Sequence, residues 1–281
     1  MSRGRRCPAV VTAAGHGTRF RPFSAIVPKE ILPLGDSPAL GHVIGECLAA
    51  GAHPVYVVTR PGDPTVPTYV QYLHAGGAPV HAVTEDLSHG YGNAAPLLTL
   101  ADRLARCERF LVAFGDDVLL GGPHPGADLT TMLTLANAGA DAVIAAQVID
   151  KADIASFGAV DLHDHSHDRV AGIRQRPHPA TVTEPLAVVS RLVLRPPILN
   201  LLTPRPEARG EVDLGAAVSE HAHSFDVRVH RLAAQWITVG DPRRYYDALT
   251  RYWHHHDTNE PAPGPQPTPP ATNPTGRTSP C

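Results

Sequence analysis

The stretch AVVTAAGHGTRFRPFSAIVPKE, Ala9–Glu30, sets the reading of the whole chain. It opens on Ala9-Val10-Val11, a short apolar run bounded by small residues, which is the pattern of a buried strand. The run breaks into Ala13-Ala14-Gly15-His16-Gly17-Thr18-Arg19. Its glycines let the backbone turn sharply and come close to a ligand. Successive backbone N–H groups in such a loop form an anion-binding concavity, and Arg19 adds a fixed planar positive charge. Pro28-Lys29-Glu30 then carries one of only two lysines in the chain, the other being Lys151. Together these features predict a phosphate site made of Ala13, Ala14, Gly15, Gly17, Thr18, Arg19 and Lys29. Gly15-His16-Gly17 lacks the third glycine of a dinucleotide fingerprint, and there is no G-x-x-x-x-G-K-[ST] P-loop. The plainer alternative is an ordinary strand-to-helix turn with a surface lysine.

Outward from this stretch, apolar runs alternate with helical patterns. Ser37–Gly51 has helical spacing and ends at a glycine suited to a C-cap. Val55–Val58 reads as a strand, Thr68–Ala75 as a helix, Pro79–Val83 as a strand and Gly90–Arg106 as a helix. Phe110–Phe114 is a fourth strand running into Gly115-Asp116-Asp117. A helix near Leu129–Ala138 and the strand Ala142–Val148 continue the alternation. Such a pattern implies an α/β fold with a mostly parallel, doubly wound sheet, its ligands at the carboxyl ends of the strands. From Phe157 the texture changes to the strands Phe157–Leu162, Arg169–Arg174, Leu186–Leu194 and Asp226–Leu232. Helices are expected near Pro197–Leu202, Val212–His221 and Arg243–Trp253. Residues 257–281 are rich in Pro and Thr and predict a disordered tail. The folded domain is therefore 1–256, with a first part over about 8–150, a second over about 151–240 and a closing helix over 241–256.

The composition bounds the partners. In 281 residues, 43% are hydrophobic and the formal net charge is −3, which argues against nucleic-acid or membrane-surface binding. Cys7, Cys47, Cys107 and Cys281 form no C-x-x-C pair, so free thiols in a reducing compartment are expected. No apolar run reaches 18 residues and MSRGRRC leads straight into the first strand, giving the expectation of a cytoplasmic chain. The histidines of 163–167, 221–223 and 254–256 lack companions at zinc spacing and are expected to be solvated.

G-x-G-T-R, then P-K-E with I-L-P-L, resembles the sugar-1-phosphate nucleotidyltransferases, within them most closely the bacterial UTP–glucose-1-phosphate uridylyltransferases. The resemblance spans about residues 8–253 and implies a Rossmann-like fold with an inserted sugar-binding region, nucleoside triphosphate and sugar-1-phosphate as substrates, Mg²⁺ as cofactor and a homo-oligomer. Asp116 ends its strand where a carboxylate can hold Mg²⁺, and the resemblance of G-D-D-V to the family's G-D gives it that role, with Asp117 a neighbour. Glu85 to Asn93, E-D-L-S-H-G-Y-G-N, resembles the segment Q-x-x-x-x-G-x-G-H that holds the base. Gly90 and Gly92 match, while Glu85 replaces a glutamine and Asn93 a histidine. A carboxylate only accepts hydrogen bonds, which suits the adjacent donors of guanine better than uracil; the alternative is that Glu85 faces solvent.

Phe157-Gly158-Ala159-Val160-Asp161 resembles Y-G-V-V-D, placing Gly158 beside the sugar. Arg174-Gln175-Arg176-Pro177 stands where the family has V-E-K-P, so Arg176 keeps the charge at the sugar phosphate while Gln175 has lost the carboxylate that grips the sugar. Gly210–Leu214 is a weaker match to G-D-E-I-Q-L. Thr238 stands where the family's second metal-binding aspartate would be, and Asp241 follows three residues later. The resemblance thus implies attack of a sugar-1-phosphate on a nucleoside triphosphate with Arg19, Lys29 and Arg176 handling the phosphates. Three readings stay open: a uridylyltransferase making UDP-glucose, a divergent enzyme using another base such as guanine with a sugar-like cyclitol phosphate, and a catalytically weak regulatory binder.

Overall fold

The computed structural model of the chain describes residues 7–205 and 210–259. Its first strand is the one expected, β1 (Ala9–Ala13). There follow α1 (Ala39–Ala49), β2 (Val55–Thr59), α2 (Thr65–Ala75), β3 (Val80–Thr84), β4 (Phe110–Phe114), β5 (Asp117–Leu120) and α3 (Ala127–Asn137). The second half holds β6 (Ala142–Val148), β7 (Gly158–Leu162), β8 (Val170–Gln175), β9 (Leu186–Leu194), α4 (Leu214–Ala222), β10 (Val227–Arg231), β11 (Gln235–Thr238) and α5 (Pro242–Asn259).

One large sheet carries most of these strands. β3, β2, β1 and β4 lie side by side and parallel. Beyond β4 the sheet becomes mixed: β9 runs antiparallel to β4 and to β6, β7 and β8 form an antiparallel pair at its end, and β10 adds parallel to β6. Strand alternation sends Ala9, Val11 and Ala13 to one face, against α1 residues such as Leu40 and Val43. It sends Val10 and Val112 to the other, against Leu97, Leu104 and the α4 residues Ala217 and Val218. The chain leaves β1 for β2 on one side and returns to β4 on the other. That reversal opens a crevice at the carboxyl ends of β1 and β4, where open α/β sheets bind ligands.

Several boundaries differ from expectation for identifiable reasons. The single helix expected over Gly90–Arg106 is instead two short segments, Ala95–Leu98 and Ala101–Leu104. Gly92 holds φ +143°, and Pro96, which has no N–H, sits at the start of the first segment. The apolar stripe survives, since Ala94, Leu97 and Leu104 are buried. β5 and β11 were not anticipated; they pair antiparallel with Thr238 opposite Asp117. The expected helix at 197–202 is a 3₁₀ segment, Pro196–Leu201. α5 runs on to Asn259, so Asp257–Asn259, expected to be disordered, are helical; residues 260–281 of the expected tail lie outside the described residues. His221, expected in solvent, is buried on α4 and stacks on Phe225 with ring centroids 4.1 Å apart. Cys7, Cys47 and Cys107 are free thiols. Among the described residues no helix is long and apolar enough to cross a membrane.

One buried ion pair ties α1 to the middle of the sheet. Arg191 of β9, fully buried, donates to both Glu46 oxygens, at 2.7 Å from Nη2 to Oε2 and 3.1 Å from Nε to Oε1. The same guanidinium donates to the Asp117 carbonyl at 2.7 Å, so it also braces the turn after β4. Glu46→Gln leaves a buried guanidinium facing a neutral amide. It is expected to lower stability by about 2 kcal/mol, read as a lower urea midpoint at unchanged slope. An unchanged midpoint would show that the pair adds nothing over its neutral counterpart.

Candidate active site

Four segments meet at the crevice: the glycine loop after β1, the 3₁₀ turn Lys29–Ile31, Gly115-Asp116 after β4, and Thr238–Asp241 between β11 and α5. Gly17, at φ +57°, turns the loop into the 3₁₀ segment Thr18–Phe20 that carries Arg19. Ala13 and Ala14 pack inward, leaving Gly15 exposed at the loop's tip. Gly115 is constrained on three sides, since a Cβ there would lie 3.1 Å from both Leu40 Cδ1 and the Thr12 carbonyl oxygen and 3.3 Å from Glu30 Cγ. A larger residue there would push these neighbours back by a few tenths of an ångström, so glycine lets the ends of β1 and β4 close against each other.

Lys29 and Asp116 form an ion pair at the centre. The same ammonium lies 2.9 Å from Glu30 Oε1, and the Lys29, Asp116 and Glu30 side chains are only 12%, 17% and 2% exposed. Burial opposes the lysine charge, but the Asp116 and Glu30 carboxylates outweigh it and hold the Lys29 pKa above its ordinary value. Burial pushes the Glu30 carboxyl above the usual range against the pull of Lys29, with the Asp116 charge adding to the rise. Glu30 Oε2 has no hydrogen-bond partner among the described residues. In the sequence Glu30 carries no signal beyond its place in P-K-E, and its burial beside a lysine is a tertiary fact.

Other expected residues gather round this pair. A Cβ on Gly15 would lie 3.7 Å from Lys29 Nζ, so the glycine loop sits directly against the ammonium. A Cβ on Gly240 would lie 3.5 Å from Asp116 Oδ2 and 3.7 Å from Arg19 Nη2. Arg19, Lys29 and Asp116 thus border one small space. Thr238 donates to the Asp116 carbonyl at 3.3 Å and accepts from Gly240 N–H at 3.2 Å, which fixes the backbone at its own strand end. Asp117 turns the other way: its buried carboxyl accepts from Ser190 Oγ at 2.6 Å. Asp241 caps α5 through Arg244 N–H and pairs with the Arg19 and Arg244 guanidiniums. Its carboxylate is thereby engaged.

The second group of expected residues lies farther along the crevice. Glu85 follows β3, is half-buried, and has no side-chain partner among the described residues; burial raises its pKa. Gly90 and Gly92 have φ of +90° and +143°, and Gly92 packs against the Val212 backbone. Gly158 and Gln175 are register partners of β7 and β8, which places the Gln175 amide over Gly158. Arg176, at φ +46°, is exposed and makes no side-chain hydrogen bond or ion pair among the described residues. The structure does not bring it into contact with Lys29 or Asp116. Asn93 and Asp213, which hydrogen-bond to each other at 3.3 Å, were quoted in the sequence only as a substitution and a weak match.

The donor set can be tested against magnesium. Among the described residues no three His, Cys, Asp or Glu side chains gather to form a metal cage. Asp116, with the buried Glu30 oxygen nearby, offers hard oxygen donors of the kind Mg²⁺ prefers. That ion commonly takes one or two carboxylates together with substrate phosphates, and a site of this open sort fits it.

Comparison with known proteins agrees with this architecture. The chain is similar to a UTP–glucose-1-phosphate uridylyltransferase of Staphylococcus saprophyticus, 27% identical over 263 residues, covering 83% of this chain and 88% of that one. It is 24% identical to a protein of the same name from Escherichia coli, covering 89% of this chain and 91% of that one. Among solved structures, a UDP-glucose pyrophosphorylase complexed with UDP-glucose superposes with a TM-score of 0.77 at 20% identity, over 89% of this chain and 99% of the other. A UDP-glucose pyrophosphorylase from Acinetobacter baumannii gives 0.76 at 23% identity, over 89% and 94%. The sequence pattern of the nucleotidyl transferase family matches residues 8–254, taking in every segment of the crevice, and the chain belongs to that family.

Proposed function

We propose that this chain joins a sugar-1-phosphate to a nucleoside triphosphate, giving a nucleoside-diphosphate sugar and pyrophosphate. The observation that carries the reading is the buried Lys29–Asp116 pair lying directly beneath the glycine loop. An oxygen of the acceptor phosphate attacks the α-phosphorus, the new O–P bond forms, and the bond to the oxygen bridging to the β-phosphorus breaks. The attacking oxygen is already ionised at neutral pH, so no general base is needed. Catalysis consists of positioning and charge neutralisation.

The loop amides of Ala14–Thr18 and Arg19 hold the triphosphate. Lys29, kept fully protonated by its carboxylates, faces the reacting phosphates. Gly158 and Gln175 border the sugar, and the exposed Arg176 reaches the sugar phosphate once substrates fill the crevice. Asp116 would hold Mg²⁺ together with substrate phosphates, and the ion would supply further neutralisation of their charge.

The names of the relatives favour UTP and glucose-1-phosphate. One observation favours a second reading, in which guanine replaces uracil. Glu85 is half-buried with no side-chain partner among the described residues, so none of them occupies its carboxylate in the free protein. Guanine supplies two adjacent N–H donors, whereas uracil sets carbonyl oxygens on both sides of one. Leaving such a group unmatched costs about 1–3 kcal/mol, roughly a ten- to hundredfold change in preference. Pyrophosphate release measured across four triphosphates and a panel of sugar and cyclitol phosphates tests the function and names the substrates. If Glu85 reads the base, GTP rivals or exceeds UTP in kcat/KM, and Glu85→Gln shifts preference toward UTP. A parent that strongly prefers UTP, unchanged in the variant, rejects the guanine reading; no release with any pair rejects the function.

A further inference from the structure

A chain of amides and a carboxylate crosses the crevice between the Gly90–Asn93 loop and the end of β8. Asp213 is its centre. Oδ1 accepts from the Ala216 N–H at 2.7 Å, capping α4, and from Gln175 Nε2 at 3.1 Å. Oδ2 accepts from Asn93 Nδ2 at 3.3 Å. Asn93 is held from its other end as well, where Oδ1 accepts from the Leu214 N–H at 2.7 Å. The backbone runs in parallel with these contacts: Val212 N–H donates to the Tyr91 carbonyl at 2.7 Å and Ala94 N–H to the Val212 carbonyl at 3.1 Å. A Cβ on Gly92 would fall 2.3 Å from the Val212 oxygen, so the loop lies flat on this segment.

The chemistry of the centre dictates the orientation of both neighbours. A carboxylate has no proton to give, so each amide must present its NH₂ group to it. The Asn93 oxygen is then aimed at the helix N-terminus, and the Gln175 Oε1 lies 3.5 Å from the position of a Cβ on Gly158. We propose that Asp213 is a positioning residue that locks the Asn93 and Gln175 amides in one orientation and couples the loop holding the base to the strand end bordering the sugar. Only the assignment of base and sugar to the two sides rests on the function proposed above. The coupling itself is a property of the fold.

Asp213→Asn isolates the effect from simple loss of structure, because Asn caps a helix as well as Asp does. Its oxygen can keep the Ala216 and Gln175 bonds, but its NH₂ group now faces the NH₂ of Asn93. Amide hydrogens of residues 90–94 are expected to exchange about tenfold faster, and KM for both substrates to rise about tenfold with kcat changed less than about threefold. Asn93→Asp alone sets two carboxylates against each other and produces the same pattern. Combined, Asn93→Asp and Asp213→Asn restore a carboxylate–amide pair in reversed order, and both readouts return to within about threefold of the parent.

A double variant whose losses simply add, or an Asp213→Asn that lowers Tm with exchange in 90–94 unchanged, overturns the proposal. A parent that releases no pyrophosphate sinks the functional reading instead. In that event the exchange pattern of the three variants still decides the coupling.

Discussion

Lys29→Ala is expected to lower turnover on the order of a hundredfold or more, by removing a positioned charge from the reacting phosphates. The lysine is one of two in the chain and lies against Gly15, where the glycine loop would bring those phosphates. Among the described residues Lys29 is the one cation within ion-pair distance of the Asp116 and Glu30 carboxylates, so its loss also lowers stability, by about 3 kcal/mol as for other broken buried pairs. The two effects separate by pH. Burial and the Asp116 charge already raise the folded-state pKa of Glu30, and Lys29 is what holds it down. Without Lys29 that pKa rises further above the unfolded value near 4.3. A group with a raised folded pKa favours the fold below its unfolded pKa and loses that contribution as pH climbs through the folded one. The melting deficit of Lys29→Ala should therefore be small near about pH 5 and grow toward about pH 8. Turnover compared where both proteins are fully folded then reports the charge alone. Activity within about threefold of the parent would reduce the lysine to a structural counter-ion.

How much of this was legible in the sequence depended on whether the signal was local. β1, the glycine loop and the run into Asp116 follow from periodicity and turn chemistry, and their meeting follows from the strand alternation. Ala142–Val148 and Leu186–Leu194 have the bounds the sequence predicts because each is a mainly apolar run, interrupted only by Gln147 in the first and Ser190-Arg191 in the second. The antiparallel course of β9 beside β4 was not legible, since an apolar run has the same composition in either direction. Nor was β5, which follows Asp116 with no Gly, Pro or Asn to mark a new element. At the site, the rarity of lysine singled out Lys29 and the resemblance of G-D-D-V singled out Asp116, but neither could show them paired. Asp213 and Arg191 escaped because each acts through partners far away in sequence, and Glu30 because its burial is a tertiary fact; an acid or arginine read locally looks like solvated surface.

Asp116→Asn is expected to remove metal-dependent turnover by about a hundred- to a thousandfold, while Asp117→Asn costs less than about tenfold. The two carboxylates are adjacent in sequence but face different environments. Asp116 borders the space shared with Arg19 and Lys29, whereas Asp117 is buried and bonded to Ser190 beside the Arg191 guanidinium. Asparagine at 117 keeps an oxygen to accept from Ser190, so what it changes is mainly core packing and charge. Asparagine at 116 keeps the shape but loses the charge that pairs with Lys29, and an amide oxygen is a weaker donor to Mg²⁺ than a carboxylate. Pyrophosphate release titrated with Mg²⁺ separates loss of metal affinity from loss of turnover. For Asp116→Asn the Mg²⁺ concentration at half-maximal rate should rise as the rate falls, and for Asp117→Asn it should stay put. The reverse ranking would mean that the turn after β4 presents Asp117 to the substrates in the working enzyme. An Asp116→Asn variant with unchanged Mg²⁺ dependence would mean instead that substrate phosphates alone hold the ion, leaving Asp116 to orient Lys29.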